Sequence, residues 1–163
     1  METNSPILDW TICRQPTYWE ILFRGIPVLG NFYDNDIKEK INSILQKRKP
    51  DILNLWNKYH FEQKKLTEVF FVIKLYQGFC NSYFLPNDSF SLLCDSSYYP
   101  MYNTFICTDI INDICRILNP ELFKQNDSFL IRSLIACDDL PVVEINKEMT
   151  LVDALQYISS LSR

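Results

Sequence analysis

Large apolar side chains recur at helical spacing through the middle of the chain. Leu66, Val69, Phe70, Ile73, Tyr76 and Cys80 lie three and four positions apart, the period of one helix face. Phe71, Val72, Leu75 and Phe79 widen that face over most of the circumference. Residues 62–85 therefore predict a helix buried nearly all round, around which the rest of the chain closes. Gly78 is the misfit, because glycine in a helix interior costs about 1 kcal/mol relative to alanine. Either a neighbouring element packs tightly against it, or the helix ends there and residues 79–85 turn away.

Shorter amphipathic helices surround this centre. Asp36 with Glu39 resembles an acidic capping box, followed by Ile37, Ile41, Ile44 and Leu45 on one face and by Pro50 as a stop. Lys47, Arg48 and Lys49 then fall in its last turn, where cations complement the negative helix end. A second helix is expected over 51–59. Asp88 reads as the cap of a short helix through Phe90, Leu92 and Leu93, and Thr108 as the cap of a helix over 109–118. Thr150 with Asp153 opens the clearest pattern, with Leu151, Ala154, Leu155, Ile158 and Leu161 on one face of 150–161.

Extended structure is expected in three places. Tyr18 to Arg24 reads as a short strand before a Gly25–Pro27 turn, because Pro16, Gly25, Pro27 and Gly30 punctuate this region too densely for a long helix. Residues 128–136 are ambiguous between a buried strand and a short helix. Leu140 to Ile145 is rich in β-branched residues and reads as a strand. The predicted fold class is α+β and helix-rich: a single compact domain over 1–163 with a central buried helix, several shorter amphipathic helices and a few short strands. Residues 1–9 are expected to be disordered or loosely packed.

Charge changes the picture more than overall composition does. The net charge is −4, but residues 1–82 carry eleven Lys and Arg against nine Asp and Glu, whereas residues 83–163 carry five against eleven. An acidic half disfavours nucleic acid and anionic membranes and favours a basic protein partner. The opening METNSPILD has neither the charged start nor the apolar run of a secretory signal, so a cytoplasmic location is expected. The most apolar window, Val69 to Phe79, is interrupted by Lys74 and Gln77, whereas a membrane span needs roughly 20 mostly apolar residues.

The chain offers little catalytic apparatus. Its three glycines, at 25, 30 and 78, fit neither phosphate-loop nor dinucleotide spacing. Its six cysteines, at 13, 80, 94, 107, 115 and 137, are scattered singly and far from the one histidine, His60, which predicts reduced thiols, no metal site and no cofactor. A histidine acting as general base needs a partner to set its tautomer, and the residues beside His60 supply none.

By elimination, the expected function is protein binding without catalysis: a small acidic intracellular inhibitor that neutralises a basic toxin or enzyme by electrostatically steered association. A monomer is expected. The partner-binding candidates are the adaptable rings and thioether of Tyr98, Tyr99, Met101 and Tyr102, with Asp138, Asp139, Glu144 and Glu148 supplying charge. The alternatives are an acidic secretion chaperone or adaptor, expected as a homodimer, and an enzyme using His60 or a cysteine.

Overall fold

Thr17 and Glu20 decide the first element. In the computed structural model, which describes residues 5–23, 32–94, 104–123 and 148–161, the Thr17 side chain accepts from the Glu20 amide and the Glu20 carboxylate accepts from the Thr17 amide. This reciprocal capping box satisfies two donors that a helix start otherwise leaves open. It makes Tyr18–Leu22 a helix, α1, and corrects the expected strand. Proline and glycine spacing limits helix length here but does not prevent one capped turn.

Helix α2 spans Phe32–Leu45 and α3 spans Gln63–Gln77; between them Pro50–Tyr59 forms a 3₁₀ helix. Helix α4 is Phe90–Cys94, α5 is Thr104–Leu118, a short 3₁₀ turn covers Pro120–Phe123, and α6 is Leu151–Ser160. Extended pairing among the described residues is limited to one antiparallel bridge between Ser89 and Thr150. The helix-rich expectation stands, but the α+β class does not: there is no sheet among the described residues. The segments 128–136 and 140–145 lie outside them.

Helix α3 ends where the glycine falls. Gly78 takes φ +69°, and both its amide and that of Phe79 (3.1 Å) donate to the Lys74 carbonyl. This left-handed cap suits a residue without a Cβ, and it turns Phe79 back into the core. Leu66, Val69, Phe70, Ile73 and Gln77 form the buried face. Phe71 and Leu75 are 58% and 65% exposed, so the expectation of burial nearly all round is corrected: α3 packs most extensively on α5 and turns its opposite side to solvent.

Aromatic rings from distant parts of the chain meet beside α3. Trp56 is buried, donates its indole N–H to the Phe84 carbonyl (2.9 Å), and meets Phe70 edge-on at 5.1 Å. Phe70 in turn meets Phe84 at 5.4 Å, nearly perpendicular. Edge-to-face pairs of this kind contribute about 0.5–1.5 kcal/mol each beyond area burial. Leu8, Ile37, Ile41, Ile110, Ile114, Leu151 and Leu155 belong to the same contiguous core.

Three parts of the chain converge on one carboxylate. The Arg48 guanidinium donates to both oxygens of Asp88 (2.5 and 2.8 Å) and to the Pro6 and Tyr83 carbonyls (2.8 and 3.0 Å). Asp88 also accepts from the amides of Leu8 (2.8 Å) and Leu85 (2.7 Å). Backbone bonds from Ser89 to Leu8, Phe90 to Met149 and Leu151 to Asp88 complete the junction. The sequence reading of Arg48 as a dipole complement is corrected, since α2 ends at Leu45 and the side chain turns inward. Asp36, expected to cap a helix over 36–49, lies inside α2 and pairs with Arg14 and Lys40.

Candidate functional site

Helix α1 is built inside out. Its one charged side chain, Glu20, turns inward: its carboxylate pairs with both terminal nitrogens of Arg14 and takes the Thr17 amide. Arg14 is fixed from the other side by Asp36 (3.3 Å), by the Tyr33 hydroxyl donating to its carbonyl (2.6 Å), and by its stacking 5.2 Å above the Tyr33 ring. The Arg14 guanidinium beside Glu20, helped by the Thr17 donors, holds the Glu20 carboxyl down at about 2. The arginine is raised in turn by the same hydrogen bond.

The apolar side chains of α1 face outward. Tyr18 is 70% exposed, Trp19 62%, Leu22 54% and Ile21 43%, and no residue of the helix is buried. Trp19 stacks on Phe23 at 5.7 Å and meets Tyr18 edge-on, so the rings are held as one plate. The sequence offered a signal for this arrangement, a T-x-x-E box enclosing two aromatics, but the strand expectation obscured it.

A second exposed apolar surface lies on α3. Phe71 and Leu75 are one turn apart on the outer side of α3. Beyond them, the Tyr76 hydroxyl donates to Asp113 of α5 (2.9 Å), and Asp113 also accepts from Arg116 (3.1 Å). That hydrogen bond is the main cause of the raised Tyr76 phenol, followed by burial and the nearby Asp113 and Asp109 charges.

His60 sits in the left-handed region at φ 60°, closing the 3₁₀ helix, and it borders an open depression of about 400 Å³ lined also by Glu62, Lys65, Gln156, Ser159 and Ser160. Lys65 donates to the Leu118 carbonyl (3.3 Å), and the two serine hydroxyls donate to carbonyls of their own helix (2.7 Å each). Both serine hydroxyl protons of the depression are thus engaged by backbone. Among the described residues, no three His, Cys, Asp or Glu side chains are grouped to hold a metal, and no helix is long and apolar enough to cross a membrane.

Of the sequence-stated binding candidates, Glu148 is exposed in the turn preceding the Thr150 cap of α6. Tyr98, Tyr99, Met101, Tyr102, Asp138, Asp139 and Glu144 lie outside the described residues, so nothing places them together. No protein family, no curated protein and no solved structure matches this chain significantly.

Proposed function

We propose that this chain is an acidic protein-binding domain that inhibits a basic partner, a toxin or enzyme, through electrostatically steered association. The observation that carries protein binding is α1: its carboxylate is engaged inward while Tyr18, Trp19, Ile21 and Leu22 face solvent. Aromatic anchors of this kind dominate binding energy at protein interfaces, and the stacking of Trp19 on Phe23 reduces the side-chain ordering that association must supply.

Charge supports the basic partner. The five acids Asp109, Asp113, Glu121, Glu148 and Asp153 all reach the surface of the described second half, with Arg116 as its single cation. A field of one sign raises encounter rates with the opposite sign and is screened by salt. The inhibitor reading is favoured over a dimeric chaperone only as far as the chain is monomeric, which sedimentation measures directly.

The test uses the full chain as bait in an extract of its own cells. One stoichiometric basic protein is expected, released as salt rises from about 0.05 to 0.5 M, with less retained by a Trp19→Ser bait. The captured protein's own activity should fall when the chain is added back. No partner, or retention indifferent to salt, sinks the reading.

A further inference from the structure

Residues 6–12 lie against the rest of the fold as a peptide lies in a groove. Every second residue from Pro6 to Trp10 bonds across it. The Pro6 carbonyl accepts from Arg48 (2.8 Å), the Leu8 amide donates to Asp88 (2.8 Å), the Leu8 carbonyl accepts from the Ser89 amide (2.7 Å), and the Trp10 indole N–H donates to the Ser91 hydroxyl (2.8 Å). Leu8 is fully buried, whereas Ile7 beside it is 43% exposed. Main-chain bonds around one anchoring side chain, at the two-residue period of an extended chain, are the means by which grooves and sheet edges read peptides. Trp10–Ile12 then closes as a 3₁₀ turn under its own cap, with Asp9 accepting from the Thr11 amide (2.9 Å). The segment depends on the fold for its position and not for its turn.

From this geometry we infer that residues 6–12 are an exchangeable strap: a tethered peptide that opens and closes as a unit over a groove formed by Arg48 and residues 88–91, and whose place the same leucine-anchored segment can take when it comes from another molecule. The groove keeps its shape by bonds that do not involve the strap. Asp88 is held by both prongs of Arg48 and by the Leu85 amide, Arg48 also by the Tyr83 carbonyl, and the Asp88 carbonyl by the Leu151 amide. Ser89 Oγ lies 3.1 Å from Ser91 Oγ. Opening the strap therefore leaves the ion pair closed and hands the Ser89 amide to water. Beyond the strap the chain leads into α1, of which no residue is buried, so the tether gives up no core contact there when the strap moves.

Amide exchange on the full, unaltered chain reads the opening. The Leu8 and Ser89 amides, which bond across the groove, should exchange at least about 100-fold faster than those of Phe70 and Ile73 in α3, after correction for intrinsic rates. The Leu85 amide bonds to the other oxygen of the same carboxylate and should stay as protected as α3. A fluorescein-labelled synthetic peptide with the sequence of residues 5–12 then reads the groove by anisotropy. It should bind the full chain carrying Leu8→Ala saturably, and about 10-fold or more tighter than the parent chain, whose own strap competes at an effective concentration on the order of millimolar. The same peptide carrying Leu8→Ala should not bind.

Exchange of the Leu8, Ser89 and Leu85 amides together with those of α3 would mean that the strap leaves only when the whole chain unfolds, and would overturn the inference. Equal peptide binding by parent and variant chains, binding indifferent to the peptide's leucine, or local opening without peptide binding would do the same. If the Leu8→Ala chain does not fold, Leu8→Val takes its place, and exchange on the parent chain decides the opening whatever either variant does. The strap is independent of the basic-partner reading: capture of that partner can succeed or fail without changing these outcomes.

Discussion

Arg48 and Asp88, forty positions apart, form a two-pronged ion pair with both side chains fully buried. All four hydrogen bonds to the carboxylate come from groups fixed in the core, and both terminal guanidinium nitrogens are used twice. The remaining arginine nitrogen, Nε, has no hydrogen-bond partner among the described residues. Breaking a buried pair by removing one partner costs about 3–5 kcal/mol, since the survivor is an uncompensated buried charge. Asp88→Ala should therefore lower unfolding stability in urea by about that much, and Arg48→Met/Asp88→Asn by less than the two single changes together. Additive losses would show that the two side chains stabilise the fold independently.

Leu8 tests the same junction from the amino end. It is fully buried, and its amide and carbonyl bond to Asp88 and Ser89. Leu8→Ala should cost about 2–5 kcal/mol, whereas Leu75→Ala should lie within about 0.5 kcal/mol of the parent, as expected of an exposed position. Equal effects in denaturant melts would contradict the assigned burial.

Gly78→Ala separates two accounts by sign. In a helix interior alanine would stabilise by about 1 kcal/mol. At φ +69° it should instead destabilise by about 1 kcal/mol, although nothing lies within 4 Å of where the new Cβ would sit. The penalty is conformational, not steric contact with a neighbour, and a stabilised variant would refute the cap.

Glu20 sets a pH window. Its folded value is depressed, to about 2, from roughly 4.3 in an unfolded chain. Its contribution to holding α1 is therefore complete above the unfolded value and is lost as pH falls through the folded one. Carboxyl NMR should show Glu20 titrating well below the other glutamates. Arg14→Met should move that titration back toward 4, and an unchanged titration would mean that Arg14 is not its cause.

Local chemistry was legible in the sequence and long-range pairing was not. The Thr150 cap with Asp153 appears as read, with the Asp153 amide donating to the Thr150 hydroxyl (3.3 Å). Gly78 was recognised as anomalous, and helix termination was one of its two explanations. Arg48 and Asp88 were each explained by the nearest helix end, because a cation after a helix and an acid before one are common caps. No pattern within ten residues of either announces a partner forty positions away. Periodicity also identified the apolar residues of α3 without telling which would be left uncovered, since Phe71 and Leu75 differ from Phe70 and Ile73 only in facing away from α5. The outward plate on α1 escaped because proline and glycine spacing outweighed the T-x-x-E signal.

The junction at Asp88 also has a consequence in time. Leu8 is made before the groups that hold it, Asp88 and Ser89, and Asp88 is itself tied to Leu151 further on. At ~5–20 residues per second, the amino-terminal stretch must wait on the order of ten seconds for the strand of chain that seals it in. Until then Leu8 lacks the partners that bury its amide and carbonyl, and residues made later are the ones that allow the stretch around it to fold.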